Sequence, residues 1–437
     1  MVGASRIISG WGGWPKQEAR TLVPNCPEDF SLECQNNHAL IARGMGRSYG
    51  DSANAATVLQ TTYLDHFIAF DPRSGLLIVQ AGVTLREVLE VTVKQGWFLP
   101  VTPGTSFVTV GGAVASDVHG KNHHFAGTFA QHVVSLDVLL GTGEIVTTSS
   151  AVLPDLFHAT CGGMGLTGVI MNVTIQLIRI HSDVIAFTTL KANSLEEACE
   201  LFNIHQAATY SVAWIDCLAT GKNLGRSVIM VGEHMGSGRL EFPSKRSFAV
   251  PMHTPAALLN GMTMRAFNRA YWARASHNRA QVSTLNSFFY PLDAISDWNK
   301  LYGKAGFLQY QFVLPSEGGV ANMRTILGKI AEGGAGSFLA VIKKFGPGNQ
   351  NMLSFPVEGY TLALDFKMTG SLITSLHELD SLVIDMGGRV YLAKDAIMKE
   401  QSFKKMYPRW EEFQAVRERY RAMNKFSSGQ SKRLGLG

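Results

Sequence analysis

The sequence predicts an α+β protein of two domains, and three observations carry that prediction. Its 437 residues correspond to about two to three domains at roughly 150 residues each. Residues 36–180 alternate short strand-like and helical runs with frequent glycine, whereas from about residue 181 longer amphipathic helices alternate with strand-like runs. Apolar residues make up 46% and charged residues 17%, an ordinary globular mixture that excludes disorder, collagen and coiled coil as global descriptions.

In the first stretch, Leu76–Gln80 reads as a strand. Thr84-Leu-Arg-Glu87 has the form of a capping box, with Val88 and Leu89 on the helix it opens and a stop at Gly96. Val133–Leu140 and Glu144–Thr148 flank Gly141-Thr-Gly143, a hairpin signal. Val173, Ile175 and Leu177 alternate with polar neighbours, the period of a half-buried strand. In the second stretch, helices are expected around 194–205, 320–332 and 370–383. Strands are expected at Val212–Ile215, Leu308–Leu314, Phe338–Ile342 and Thr361–Phe366, in a mixed or antiparallel sheet. A short strand, Arg389–Ala393, follows Gly387-Gly388. In the tail, Phe403, Met406, Trp410, Phe413, Val416, Tyr420 and Met423 form a helical stripe interrupted at Pro408, which reads as core.

No apolar run reaches the roughly 18 residues of a membrane helix, and the first residues lack the apolar core of a signal peptide. A soluble, cytoplasmic protein is the expectation. The five cysteines form no CxxC pair, so reduced, mostly buried thiols are expected rather than a disulfide or zinc framework.

Charge is unevenly spread. Residues 222–279 hold nine Lys/Arg and two acids, and residues 401–437 hold nine Lys/Arg and three acids; the rest of the chain is acidic against an overall +5. In the first basic segment Lys245, Arg246, Arg265, Arg269 and Arg274 are interleaved with Phe248, Met252, Leu258, Leu259, Met262, Phe267 and Tyr271. That mixture suits a membrane interface with anionic headgroups; a solvated basic face is the other reading. No nucleic-acid reading motif accompanies the charge.

Three glycine-rich segments stand out: Arg43–Asp51 (RGMGRSYGD), 102–124 (TPGTSFVTVGGAVASDVHGKNHH) and 161–168 (CGGMGLTG). Glycine lets backbone N–H groups approach a ligand, and successive N–H groups form nests suited to a pyrophosphate. The first segment is not a Rossmann site, because no third glycine in register, no following amphipathic helix and no spaced acid accompany it. Tight turns explain the glycines equally well. His119-x3-His123 has ligand spacing, but Gly120 and Asn122 argue against a helix there and no acid completes a set, so no metal is expected.

RGMGRSYGD, PGTSFVTVGGAVASDVHGKNHH and GGMGLTGVI resemble the flavin-binding segments of the vanillyl-alcohol-oxidase (PCMH-type) flavoproteins. Within that superfamily the chain resembles the decaprenylphosphoryl-β-D-ribose oxidase family. YSVAWID (210–216), LQYQFVLP (308–315), KKFGPGNQNMLSFP (343–356) and GGRVYLAKD (387–395) extend the likeness over most of the chain. The resemblance implies a PCMH-type FAD-binding domain over 1–180 and an α+β substrate domain over 181–386, with the basic, apolar insertion at about 222–279. It also implies a C-terminal return, 387–437, to the FAD domain.

Residue by residue, the resemblance implies that Gly44, Met45, Gly46, Arg47, Ser48 and Tyr49 hold the FAD pyrophosphate. Gly104, Thr105, Thr109, Gly111, Gly112, Ser116, Val118, His119, Gly120 and Asn122 run along the cofactor, Gly163, Leu166, Gly168 and Val169 face its adenosine side, and Tyr391 packs beside the flavin. Arg47 takes the place of a histidine that attaches FAD covalently in many related oxidases, which implies non-covalent FAD. Lys394 matches a lysine near flavin and substrate, where its charge stabilises the reduced ring, and Lys121 matches a lysine of the substrate pocket. Gln309 and Gln311 share one side of a strand and suit sugar hydroxyls; Trp214, Lys343 and Phe345 match further pocket positions. Two departures stand in the strand Thr361–Phe366. Ala363 replaces a cysteine of the mycobacterial members, and Thr361 replaces an asparagine.

The implied activity is FAD-dependent oxidation of the 2-hydroxyl of a polyprenylphosphoryl-ribose to a ketone. This is the oxidase half of a 2-epimerase that, with an NAD(P)H-dependent reductase, forms an arabinosyl donor for an envelope arabinan. A peripheral membrane contact would accompany it. A sugar-alcohol or aldonolactone oxidase using oxygen, and a flavin-free membrane-associated binding protein on the same fold, are the alternatives.

Overall fold

The structure is a computed structural model that describes residues 5–243, 248–254, 260–334, 336–337 and 339–437. The N-terminal part holds two sheets. A four-stranded sheet has the order Ser5–Ser9, Lys16–Leu22, Thr57–Gln60, Ile41–Arg43, and an antiparallel five-stranded sheet the order Phe67–Asp71, Leu76–Gln80, Val169–Gln176, Val133–Leu139, Ile145–Thr148. The expected hairpin is the pair Val133–Leu139 and Ile145–Thr148.

The expected capping box forms at the helix Leu85–Thr92. The Thr84 hydroxyl accepts from the Glu87 N–H at 3.2 Å, and the Glu87 carboxylate accepts from the Thr84 N–H at 2.8 Å. Leu85, Val88, Leu89 and Thr92 are its buried side, each fully buried aliphatic contributing about 1.5–3 kcal/mol. A short 3-10 turn follows and ends at Gly96, whose φ of 79° needs glycine.

The second part is built on one antiparallel eight-stranded sheet. Its order is Arg279–Thr284, Val184–Ala192, Ser227–His234, Tyr210–Ile215, Val341–Phe345, Gly359–Lys367, Phe307–Pro315, Arg389–Val390. The helices Leu195–Ile204, Gly319–Gly333 and Leu372–Asp385 bury their apolar sides in the core shared with this sheet.

Two strand expectations need correction. The strand placed at Phe338–Ile342 runs over Val341–Phe345 instead, pairing Val341 with Ala363 and Phe345 with Gly359; Phe338 itself lies outside the described residues. Lys343 and Lys344 hid the strand because charge usually marks its end. The strand placed at Arg389–Ala393 stops at Val390, and the N–H groups of Lys394 and Asp395 then turn back to donate to Tyr391 O at 2.9 and 3.0 Å.

Pro408 separates the helices Glu400–Met406 and Trp410–Arg419, which bury Phe403, Met406, Phe413 and Val416 as expected of a core stripe. The chain then returns to the N-terminal sheets. Leu40 N–H donates to Lys425 O, Ser427 N–H to Leu40 O and Gly429 N–H to Asn54 O. Arg417, fully buried, donates to the carbonyls of Leu166, Phe426 and Leu436. All five cysteines are free and four are buried.

In the basic segment, the helix Gly261–Arg274 is capped by Asn260 and tied down by buried Asn268, which donates to Asp216 at 2.8 Å. Met262, Phe267 and Tyr271 remain exposed on it, as do Phe248 and Met252 nearby. Lys245, Arg246, Leu258 and Leu259 lie outside the described residues. No helix among the described residues is long and apolar enough to cross a membrane.

Candidate active site

A cleft of about 770 Å³ runs between the glycine-rich loops and the eight-stranded sheet. The first loop contributes Gly44 to Tyr49. The second contributes Gly104, Thr105, Thr109, Gly111, Gly112, Ser116 and the run Val118 to Lys121. The third contributes Met164, Gly165 and Gly168. The sheet contributes Trp214, Gln309, Gln311, Lys343, Ala363 and Asp365, and the returning segment Tyr391, Ala393 and Lys394.

Five residues expected in the site stand outside this cleft. Asn122 is buried and gives its amide to Pro100 O at 2.8 Å, so it shapes the loop. Gly163 is packed against backbone, where a Cβ would lie 2.0 Å from Ala159 O. Leu166 and Val169 point into the core, and Met164, Gly165 and Ile170 take the wall in their place. Phe345 shares a sheet face with Lys343 but lies one step further on, beneath the rings of His119 (4.7 Å) and His123 (4.3 Å).

The remaining glycines divide into two kinds. A Cβ on Gly111 would meet Ala81 Cβ at 2.7 Å, and one on Gly120 would meet Asn122 Oδ1 at 2.6 Å, so packing alone requires them. Gly104 lines the cleft with nothing within 4 Å of its would-be Cβ, and Gly112 would meet only Thr109 Oγ1 at 3.0 Å. Fold packing leaves Gly104 bare, and a large ligand against backbone accounts for it.

Three lysines, each half-buried, line the cleft among the described residues. Lys121 donates to Phe288 O and sits 4.3 Å from the centre of the Phe288 ring; Lys343 Nζ lies 3.4 Å from His119 Nδ1; Lys394 Nζ stands 3.8 Å over the Tyr49 ring. Burial pushes Lys121 down to about 7, Lys343 to about 8 and Lys394 to about 7, with Lys343 lowering the other two and Asp365 partly restoring Lys394. His119 is held well below its usual range by burial and then by Lys343.

Asp365 is the counter-charge that reading the sequence missed. It sits opposite Gln309 in the strand register, accepting from that amide at 2.6 Å and from the Tyr302 hydroxyl at 3.2 Å. Burial raises its carboxyl to about 6, against the Gln309 hydrogen bond and Lys394. The signal was one acid in the otherwise uncharged run Tyr360–Phe366. Trp11 and the stretch Pro291–Trp298 also line the cleft, and nothing local in their sequence announces it.

The two departures behave differently. Ala363 lines the cleft, whereas Thr361 is buried behind it. The Thr361 hydroxyl donates to Phe312 O at 2.8 Å and accepts from the Gln311 amide at 3.2 Å. The same amide nitrogen approaches His119 Nε2 at 2.9 Å.

Comparison with known proteins fits this geometry. An FAD-binding domain family matches residues 31–149. Decaprenylphosphoryl-β-D-ribose oxidase of Mycolicibacterium smegmatis is 36% identical over 99% of this chain and 98% of that protein. An uncharacterized protein in the mprA 5′ region of Streptomyces coelicolor is 30% identical over 81% of this chain and all of that protein. D-arabinono-1,4-lactone oxidase of Yarrowia lipolytica is 31% identical, over only 29% of this chain and 26% of that protein. With near-complete coverage at this identity, and a cleft whose open backbone at Gly104 suits a large cofactor, the chain belongs to the decaprenylphosphoryl-β-D-ribose oxidase family and is an FAD-dependent oxidoreductase.

Proposed function

We propose that the protein oxidises the 2-hydroxyl of a polyprenylphosphoryl-ribose to a 2-keto intermediate. An NAD(P)H-dependent reductase would complete the epimerisation to an arabinosyl donor for a cell-envelope arabinan. The observation that carries this reading is the cation-rich pocket, in which half-buried Lys121, Lys343 and Lys394 stand with paired amides and the carboxylate of Asp365. Cations suit a phosphate and amides suit sugar hydroxyls.

Residues 1–180 would hold FAD non-covalently through Gly44–Tyr49 and the second glycine segment, residues 181–386 the substrate, and 387–437 would return Tyr391 and Lys394 to the cofactor. FAD, when bound, supplies the two-electron acceptor that none of these side chains can be. The chain's own groups bind and orient. Lys121 and Lys343 meet the phosphate or a sugar oxygen, Gln309 and Gln311 the ribose hydroxyls, Trp214 the wall of the pocket, and Lys394 Nζ holds a positive charge beside the reacting oxygen.

Anaerobic addition of a short-chain polyprenylphosphoryl-ribose should bleach the flavin absorbance. Bleaching by free polyols or aldonolactones alone would replace this substrate class with the lactone-oxidase reading. A lipid substrate also gives the exposed helix Gly261–Arg274 a role. Tyr271 both lines the cleft and is 41% exposed, beside exposed Met262 and Phe267 and among Arg265, Arg269 and Arg274. Replacing those three arginines with serine should weaken binding to anionic liposomes roughly a hundredfold, at about 1 kcal/mol per basic residue near the surface. Unchanged binding would make this a solvated basic face.

A further inference from the structure

The last residues of the chain join two loops of the cleft through one side chain. Arg433, at the end of the short helix Gly429–Arg433, donates through one terminal nitrogen to Asp51 Oδ1 (2.7 Å) and Asp395 Oδ2 (3.0 Å). Its other terminal nitrogen donates to Met398 O at 2.6 Å. Asp51 stands two residues beyond Tyr49 at the end of the first glycine loop, and Asp395 directly follows Lys394. Both carboxylates are buried.

The two loops lie in backbone contact at this point. Tyr49 N–H donates to Ala393 O at 3.0 Å, and a Cβ on Gly50 would come within 2.0 Å of Asp395 O. Their side chains meet inside the cleft, where the Lys394 ammonium covers the Tyr49 ring. Two buried carboxylates brought this close repel unless a cation lies between them. Gln430 also donates to Asp395 Oδ2 at 3.1 Å, but a neutral amide leaves the charge uncompensated. A planar guanidinium fork can reach both carboxylates and a carbonyl together, whereas a lysine ammonium is a single point charge.

We infer that Arg433 is a positioning residue of the redox site, bridging Asp51 and Asp395 so that the cofactor loop and Lys394 are fixed to one another. This rests on the reading of Lys394 given above. The test uses full-length protein and compares Arg433→Gln, Arg433→Lys and Lys394→Ala with the parent. Loss of one charged hydrogen-bonded bridge corresponds to about a tenfold effect or more. For Arg433→Gln the FAD dissociation constant, from flavin fluorescence, should rise by that factor. Flavin reduction at saturating substrate should slow comparably while the substrate KM stays unchanged, and Arg433→Lys should recover part of both.

Should Arg433→Gln fold poorly, Arg433→Gln with Asp51→Asn relieves the repulsion but still lacks the bridge, and the same slowing is expected. Parental FAD affinity and reduction rate in a folded Arg433→Gln or double variant would overturn the inference. Normal reduction in Lys394→Ala would instead remove the role given to Lys394, and the FAD affinity of Arg433→Gln would then decide the loop-fixing role by itself.

Discussion

Lys394→Ala is expected to retain FAD while its reduction by substrate slows about a hundred- to ten-thousand-fold, the range of a single positioned charge or proton carrier. Retention follows from geometry, because the glycine loops lining the other side of the cleft do not include this residue. The loss follows from position, since Lys394 stands half-buried in the cleft wall over Tyr49 and within electrostatic reach of Asp365. The pH dependence has a definite sign. Burial lowers Lys394 to about 7, so its positive charge is present below that pH and lost above it. If the charge is what the reaction requires, the parent's reduction rate falls as pH rises through about 7, and this limb disappears in Lys394→Ala. Stopped-flow flavin bleaching across pH measures both; normal reduction, or a limb that survives the substitution, would remove Lys394 from the mechanism.

The same lowering acts on stability. The unfolded lysine keeps its proton to about 10.4, so between about 7 and 10 the unfolded chain binds more protons than the folded one at Lys121, Lys343 and Lys394. The contribution of these groups therefore makes the ligand-free protein more stable as pH rises through that window. A phosphate bound among them would hold their protons and weaken this dependence.

Gly104→Val should fold and yet carry almost no FAD. No atom lies within 4 Å of the Cβ such a residue would add, and the position lines the cleft, so the new side chain meets ligand volume rather than protein. Gly111→Val provides the contrast. Its Cβ would press on Ala81 at 2.7 Å, so folding itself should suffer, with overpacking in a core costing about 1–3 kcal/mol. The flavin-to-protein absorbance ratio of the purified variants, read beside their thermal unfolding, separates the two effects. A full flavin complement in Gly104→Val would mean that the second glycine segment does not approach the cofactor.

What could be read from the sequence was what short-range chemistry determines. The Thr84–Glu87 capping box, the hairpin across Gly141–Gly143 and the break at Pro408 each depend on a few adjacent residues, and each formed. The strand Val341–Phe345 was misplaced because Lys343 belongs to a buried strand whose charge is tolerated only by a cleft that other segments build. Asp365 was missed for the same reason, since its partners Gln309 and Tyr302 come from another part of the chain. Of the glycines, only the three-dimensional surroundings distinguish Gly104, left open, from Gly163, packed against backbone.

Synthesis order gives the C-terminal return a further meaning. A growing chain folds from its N-terminal end, so the glycine loops emerge long before the segment that carries Lys394 and the tail that pins it. Leu40 must wait for Lys425 and Ser427, and Asp51 for Arg433. A nascent chain therefore offers only an open half-site until the segment through Arg433 has emerged. A product terminated before Arg433 would lack the side chain that joins Asp51 to Asp395.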